Sequence, residues 1–343
     1  MRLNHSELSA VTQDILLSAG ISSEQAQTVT ENLIWCDMVG RRNHGIERLP
    51  ILLKHVSAGT LRSAPNMKFD SLSPTMERLD ADQAFGHHAG RIAIDRAIEL
   101  SETFGIGIVG VHNSNFFGAG AYYAARAAEA GKLSLVLSNS FPKVAAPGGL
   151  QAVLGTNPFT FGAPRRDGHH VLVDMSTAAV AGSTVREKIV AGETFEPGVA
   201  IDGEGNPILD PNEVMAGTLL PAAGAKGFGL ALMVEILSAV LTGAAISHQV
   251  GSMYKNFERS GENGHFFMVL NTQVWLSLET YFDRMDALGA ALNATPQDSE
   301  TRFPGQVRWQ QYEDSLENGV EVDANMLSSF MALAEQQGVT VPW

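Results

Sequence analysis

From about residue 68 onward, helical stretches alternate with short apolar runs, and this alternation is the feature that most constrains the fold. Helical patterns cover 90–104, 118–130 and 179–191. The apolar runs, each long enough for one strand, cover 106–111, 133–137, 159–161 and 171–173. Such alternation is typical of an α/β domain, in which helices cover the faces of a sheet.

The two ends of the chain have a different, helical texture. Residues 6–19, 23–39 and 46–58 predict three helices, and residues 323–337 predict a last one. Further along the α/β part, 228–241 and 275–292 predict helices on either side of a strand at 265–270. No linker separates the regions. We therefore expect a helical domain built from 1–65 plus 310–343, and an α/β nucleotide- and substrate-binding region over 66–309 with two interleaved subdomains.

Composition limits the function classes. The chain has 343 residues, of which 45% are hydrophobic, and a net charge of -14. A nucleic acid or an anionic membrane requires a basic surface, so neither is expected as a partner. No run of about 18 apolar residues predicts a membrane span. The N-terminus lacks the apolar stretch of a signal peptide, and the single cysteine, Cys36, excludes an intramolecular disulfide. We expect a cytoplasmic enzyme.

The segment from Asn43 to Pro50 carries one imidazole and one guanidinium four residues apart. A helix that begins near His44 would place His44 and Arg48 on one face. An arginine can hold the carboxylate of a 2-oxo or 2-hydroxy acid with two parallel bonds, and a histidine can exchange a proton with the neighbouring oxygen. In the alternative interpretation, Arg48 pairs with Glu47 or another surface acid, and His44 caps a helix.

A match to the dinucleotide-binding pattern G-x-G-x-x-G, at residues 105–110, is rejected. That fingerprint needs a strand before the glycines and a helix that opens within them. In this chain a helical stretch comes before the glycines, and the apolar residues between them predict the strand itself. A Rossmann domain at this position is therefore not expected.

Three other segments suit the phosphates of a nucleotide better. In the first, glycines surround Lys226 at the start of a helix, where backbone N–H groups favour anions. The second is a buried strand that ends in Asp174 and Ser176, and the third is a strand end near Ser140. Each segment also has a purely structural interpretation: a close-packed helix start at Lys226, a helix cap by Asp174 or Ser176, and a turn near Ser140. The histidines and the cysteine lack metal-ligand spacing, so no metal is expected.

Taken in order, these segments and several others resemble the type-2 malate/L-lactate dehydrogenase family, whose relatives include ureidoglycolate and sulfolactate dehydrogenases, 2,3-diketogulonate reductase and piperideine-2-carboxylate reductase. The matching motifs are Asn43-His44-Gly45 with Arg48-Leu49-Pro50, Asn113-Ser114-Asn115 with Phe117-Gly118, Ser138-Asn139, Pro147-Gly148-Gly149, Leu154-Gly155-Thr156-Asn157-Pro158, Asp174-Met175-Ser176-Thr177, Gly224 with the run from Lys226 to Glu235, and Pro304-Gly305.

The resemblance implies a homodimeric NAD(P)-dependent oxidoreductase with a non-Rossmann fold of the L-sulfolactate dehydrogenase type. It implies that His44 is the proton donor to a small carboxylic acid substrate. It places Arg48, Thr156 and Phe116 at the substrate. The cofactor contacts that it implies, for NAD or NADP, are Ser140, Asp174, Met175, Ser176, Lys226, Gly227, Pro304, Gly305 and Gln306.

The chain departs from the family pattern at several positions. Phe116 stands where many relatives have a histidine, and Gly182 stands where relatives often have an arginine. Thr184 and Asn43 also differ from the usual residues. A phenyl ring cannot carry a proton, so an apolar 2-oxo acid or a cyclic 2-imino acid becomes a better candidate than malate. Three hypotheses follow: a 2-oxo acid reductase, a cyclic imine reductase, and a nucleotide-binding protein without turnover.

Overall fold

The computed structural model describes residues 1–294 and 302–343. Its α-helices are α1 (His5–Ser18), α2 (Ser23–Met38), α3 (Leu49–Ser57), α4 (Gly86–Phe104), α5 (Gly120–Glu129), α6 (Gly182–Ala191), α7 (Pro211–Val214), α8 (Ala225–Glu235), α9 (Leu278–Asn293), α10 (Gln306–Asn318) and α11 (Ala324–Gln336). Its strands are β1 (Arg2–Leu3), β2 (Lys68–Ser73), β3 (Met76–Asp80), β4 (Ile106–Ser114), β5 (Lys132–Ser138), β6 (Val144–Ala145), β7 (Ala152–Leu154), β8 (Phe159–Ala163), β9 (Val171–Met175), β10 (Ala200–Ile201), β11 (Thr218–Leu219), β12 (Asn263–Asn271) and β13 (Val320–Glu321).

Seven strands form the main sheet, in the spatial order β2-β3-β4-β12-β5-β8-β9. β3 and β4 pair in parallel, whereas the other neighbours in this sheet pair antiparallel. β12 follows β9 in the chain, yet it lies between β4 and β5. Distant parts of the chain are therefore interleaved in one sheet, and the predicted α/β class is confirmed.

Both faces of this sheet are covered by helices. On one face, α4 and α5 enclose a core that includes Leu79, Val109 and Phe267. On the other face, Val234 of α8 packs against Leu137 and Phe266. A π-helical turn, Ile236–Val240, continues α8. The sheet is thus a rigid layer whose strand ends carry the loops described below.

The G-x-G-x-x-G match has the structural context that the sequence predicted. α4 ends at Phe104, Gly105 ends the helix with a φ of 84°, and β4 begins at Ile106. A Cβ at Gly107 would collide with the carbonyl of Ala97 on α4. These glycines therefore permit close packing of a helix on a strand and are not placed to cradle a phosphate.

A separate core joins the two ends of the chain. Leu8, Val29 and Leu49 from the N-terminal helices pack in one cluster with Phe330 and Leu333 of α11. β1 and β13 pair antiparallel beside it. The division into a helical domain of 1–65 plus 310–343 and an α/β region of 66–309 stays a prediction.

A second, smaller sheet has the strand order β10-β11-β6-β7. Its core brings Val144 together with Val185 of α6, Phe195 and Val214. Among the described residues, no helix is both long and apolar enough to cross a membrane.

The prediction of a regular helix that begins near His44 is wrong. Two short 3₁₀ turns, Arg42–His44 and Ile46–Arg48, precede α3. Gly45, between the turns, is extended, with a φ of -90° and a ψ of -150°. The Asp37 carboxyl group accepts a 2.8 Å hydrogen bond from the Ile46 N–H, and a Cβ at Gly45 would collide with that group. A side chain of α2 therefore sets the shape of this segment.

Candidate active site

His44 ends the first 3₁₀ turn, and its ring stacks on Phe116 with centroids 5.9 Å apart and planes at 29°. Its Nδ1 is buried without a hydrogen-bond partner among the described residues. Burial lowers the pKa of His44 to about 4; the Asp174 carboxylate opposes this shift, and the Arg48 guanidinium adds to it. The imidazole is therefore neutral at pH 7 and can accept a proton there.

Phe116 lies between two imidazoles. Its other neighbour, His87, meets it edge to face with centroids 5.6 Å apart. His87 is fully buried, and within the described part of the chain neither of its ring nitrogens has a hydrogen-bond partner. Burial lowers the pKa of His87 to about 3. Phe116 thus gives the floor of this site an apolar surface between two neutral rings.

Arg48 is held but not neutralised. Its Nε donates a 2.6 Å hydrogen bond to the carbonyl of Asn43, and the described residues give its guanidinium no carboxylate partner. The neighbouring Glu47 pairs instead with Arg186 of α6, at 2.9 Å. The alternative interpretation, in which Glu47 neutralises Arg48, does not describe the structure. The terminal nitrogens of Arg48 are available to bind a carboxylate bidentately.

Ser140, Thr156 and Ser176 come together although they follow different strands. The Ser140 and Thr156 hydroxyls lie 3.4 Å apart, and the Ser176 hydroxyl donates to the Thr156 carbonyl at 3.2 Å. Gly155 faces Ser140 so closely that a Cβ there would collide with it. Three hydroxyl-bearing residues thus form one polar group at adjacent strand ends.

The buried amide of Asn157 connects this polar group to α8. Its Oδ1 accepts a hydrogen bond from the Ser140 N–H, at 3.1 Å. Its Nδ2 donates to the Ala231 carbonyl at 3.1 Å and to the Glu235 carboxylate at 2.8 Å. The backbone of Asn157 has a φ of 27°, a conformation that asparagine tolerates better than most residues.

The start of β9 meets the segment that precedes α10. The Leu172 N–H donates to the Pro304 carbonyl at 2.8 Å, and Gly305, at a φ of 97°, approaches Leu172 too closely for a Cβ. Gln306 begins α10, and Arg308 on the same helix pairs with the Asp174 carboxylate at 3.2 Å. Pro304 and Gly305 thus lie against Leu172, and only Arg308 reaches Asp174 among these residues; Met175, next to Asp174, is exposed.

The glycine-flanked lysine lies at the start of a helix, as predicted. α8 begins at Ala225, and Lys226 is exposed in its first turn. Gly227 packs against the Ala222 carbonyl, with no room for a Cβ. The Ala222 N–H donates to the Thr177 carbonyl at 3.0 Å. The helix start is therefore joined to the 174–177 segment, where its N–H groups and Lys226 suit a phosphate.

The structure therefore has two polar groups with different chemistry. One holds a neutral imidazole and an unpaired guanidinium, and the other holds hydroxyls, a lysine and a helix start. They are close enough for the Asp174 carboxylate and Arg308 to act on the pKa of His44. A dinucleotide on the second group and a small acid on the first would bring a hydride donor and a proton carrier to one carbon.

Sequence reasoning missed several residues that shape this site. They are Asn157 and Glu235, Arg308, His87, Asn115 and Tyr254. Asn157 lay inside a quoted motif, and its special backbone could have been suspected from its place between Thr156 and Pro158. Arg308 and Tyr254 carry no local signal, because their partners lie far away in the chain.

Comparison with known proteins identifies the class. The family model described as malate/L-lactate dehydrogenase matches residues 3–331. The malate dehydrogenase of Pyrococcus abyssi is 33% identical, over 99% of this chain and 96% of its own. The ureidoglycolate dehydrogenase (NAD(+)) of Escherichia coli strain K12 is 30% identical, over 94% and 93%. The structure of sulfolactate dehydrogenase from Methanocaldococcus jannaschii superposes with a TM-score of 0.91 and 27% identity, over 99% and 98%.

The protein is therefore an oxidoreductase with the fold of the L-sulfolactate dehydrogenases. The chain belongs to the malate/L-lactate dehydrogenase family, and the resemblance seen in the sequence motifs is confirmed.

Proposed function

We propose that this protein transfers a hydride between nicotinamide and C2 of a small 2-oxo or 2-hydroxy acid, with His44 exchanging the proton. The observation that carries the proposal is the placement of neutral His44 and of Arg48, which has no carboxylate partner among the described residues, on two consecutive 3₁₀ turns. Arg48 would hold the acid's carboxylate. His44 would then face the oxygen on C2, where the proton moves.

The residues present fit a nicotinamide dinucleotide. An open helix start with Lys226 suits its phosphates, and the hydroxyls of Ser140 and Ser176 add neutral polar groups. Arg308 pairs with the Asp174 carboxylate at 3.2 Å and donates to the Asp174 carbonyl at 3.2 Å, so it holds this strand end in place. When bound, the cofactor would supply or accept the hydride.

In the reducing direction, protonated His44 would give its proton to the oxygen on C2 as the hydride reaches the carbon. In the oxidising direction, neutral His44 would accept the hydroxyl proton. Phe116 holds the ring by stacking and offers no competing proton. The cyclic 2-imino acid is the second candidate, because an apolar floor at Phe116 accepts a ring as readily as a side chain. The family assignment favours an enzyme over the third hypothesis, a nucleotide-binding protein without turnover.

Replacing His44 by alanine should lower kcat by about 10²–10⁴, the usual contribution of a positioned proton donor.

The wild type gives a second test. The pKa of His44, about 4, should make log kcat/KM for reduction fall with a slope near -1 from pH 5.5 to 8. The sign follows because the protonated form is the active one in reduction. Over the same range, kcat/KM for oxidation should stay flat. Initial rates, followed by the absorbance of NADH or NADPH at each pH, give both profiles.

His5→Ala removes an imidazole on α1, in the terminal helical cluster, and serves as the matched control. A plateau of the reduction profile below pH 6.5 would show that a histidine of ordinary pKa carries the proton. Near-normal turnover in His44→Ala with a 2-oxo acid would contradict the assignment altogether.

Replacing Lys226 by alanine should raise KM for the cofactor at least about tenfold, because a charge at a helix start contributes to phosphate binding. KM for the acid should change little. Lys68→Ala, at an exposed lysine of β2, is the matched control. Steady-state kinetics with each substrate varied in turn separate the two constants, and a larger rise in KM for the acid would refute the proposed role.

Phe116→His should improve kcat/KM for malate and ureidoglycolate relative to apolar 2-hydroxy acids. Against the wild-type phenyl ring, a hydroxyl or second carboxylate loses a partner, at a cost of roughly 1–3 kcal/mol. Competition assays with substrate pairs give the ratio directly. Phe104→His, at an exposed phenylalanine, is the control. A wild type that already prefers malate, or an unchanged ratio in Phe116→His, would remove residue 116 from the substrate site.

We also propose that the protein is a homodimer. Leu232, Ile236 and Val240 are each more than two-fifths exposed and follow one another at four-residue spacing along α8 and the π-helical turn, and Leu241 is 64% exposed beside them. A contiguous apolar stripe of this kind marks an interface.

The test of the homodimer is its mass in solution. Sedimentation equilibrium should give twice the chain mass of 36.7 kDa. Val240→Glu with Leu241→Glu should give single-chain mass, and Leu72→Glu should not; a monomeric wild type would contradict the proposal.

A further inference from the structure

The segment 251–261 is a closed loop whose base is fixed beside Phe116. The Gly251 N–H donates to the Gly261 carbonyl at 2.9 Å. The Oδ1 of Asn115, the residue next to Phe116, accepts hydrogen bonds from the Ser260 hydroxyl at 3.1 Å and the Gly261 N–H at 2.8 Å. The base of the loop therefore cannot move without moving the floor of the active site.

The outer part of the same loop is anchored on α3, the helix that follows Arg48. The Nε2 of His55 donates to the Met253 carbonyl at 2.9 Å, and the His55 ring lies 4.7 Å from the ring of Phe257. The Lys54 ammonium lies 3.8 Å from the centre of the Phe257 ring. The loop thus bridges the two sides of the site.

Little space is left underneath the loop. The cavity between the loop, α3 and Phe116 measures about 20 Å³. That volume holds about one water molecule, so no acid of three or more carbons fits there. Tyr254 does not line this cavity and instead faces Arg48.

Tyr254 connects the two polar groups of the site. Its ring centre lies 5.6 Å from the guanidinium carbon of Arg48 and 5.9 Å from the ring of Phe141, the neighbour of Ser140. The ring is 48% exposed. Arg48 is therefore held by the Asn43 carbonyl at its Nε and covered by an aromatic ring on one face, which leaves its terminal nitrogens free.

We propose that the loop 251–261 is the substrate-recognition element, in which Tyr254 orients Arg48 and forms the wall that contacts the substrate's C3 group. The inference rests on the proposed function. The wall consists of aromatic surface from Tyr254 and Phe141. It suits a 2-oxo acid whose C3 group is apolar or aromatic. The phenol ring, not its hydroxyl, performs this role, since cation–π contact needs only the ring face.

The test compares Tyr254→Ala and Tyr254→Phe with the wild type, using pyruvate, phenylpyruvate and oxaloacetate with the preferred cofactor. Tyr254→Ala should raise KM for the acid about 3- to 30-fold, the range that one cation–π contact represents. It should also lower the phenylpyruvate-to-pyruvate ratio of kcat/KM about two- to tenfold, because an aromatic contact is lost. Tyr254→Phe should keep the wild-type KM for the acid and the wild-type ratio. In both variants, KM for the cofactor should not change.

Lys255→Ala, at the exposed neighbouring residue, is the matched control and should behave as the wild type. An unchanged KM for the acid in Tyr254→Ala, an equal rise in KM for the cofactor, or failure of Tyr254→Phe to restore activity would each overturn the inference. If the wild type reduces none of the acids, the proposed function itself fails, and the inference fails with it. If the wild type reduces these acids and Tyr254→Ala has the same KM for them, the inference is refuted while the proposed function stands.

Discussion

One buried carboxyl group, that of Asp37 in α2, determines how the reactive residues are presented. Burial raises the pKa of Asp37 to about 8, so the group stays protonated at neutral pH. Its Oδ2 accepts the Ile46 N–H, and the chain passes so close that only glycine fits at position 45. The segment forms two 3₁₀ turns and not a regular helix. His44 and Arg48 are consequently held on two separate turns, with the imidazole against Phe116 and the guanidinium against the Asn43 carbonyl.

Neutral amides hold the loops of the site in place. Asn157 joins the Ser140 backbone to α8, and Asn115 joins β4 to the loop 251–261. Asn139 likewise donates to the Ala245 carbonyl and accepts a hydrogen bond from the Gly264 N–H. An amide can donate and accept at once, so each connection adds no charge.

Local patterns in the sequence predicted the long elements but not the site's supports. The apolar runs of β4, β5 and β12 and the helices α2 and α11 follow from periodicity within ten or twenty residues. The contact between Asn157 and Glu235 spans 78 positions, and the one between His55 and Met253 spans 198. No local signal reports such distances. The helix expected at His44 is absent because of a side-chain contact that periodicity does not report: Asp37 of α2 accepts a hydrogen bond from the Ile46 N–H.

Under the proposed function, the electrostatics around His44 would join acid binding to proton transfer. The Arg48 charge lowers the pKa of His44, in addition to the larger effect of burial, and Asp174 opposes both. A carboxylate bound to Arg48 would neutralise the cation that acts on the imidazole and so raise its pKa. The free enzyme would then hold a neutral base, while the complex with a 2-oxo acid would hold a histidine that is more easily protonated. Because kcat reports the complex and kcat/KM reports the free enzyme, the reduction profile of kcat should have its midpoint at a higher pH than that of kcat/KM. The guanidinium that would hold the acid thereby also sets the proton affinity of the group beside it.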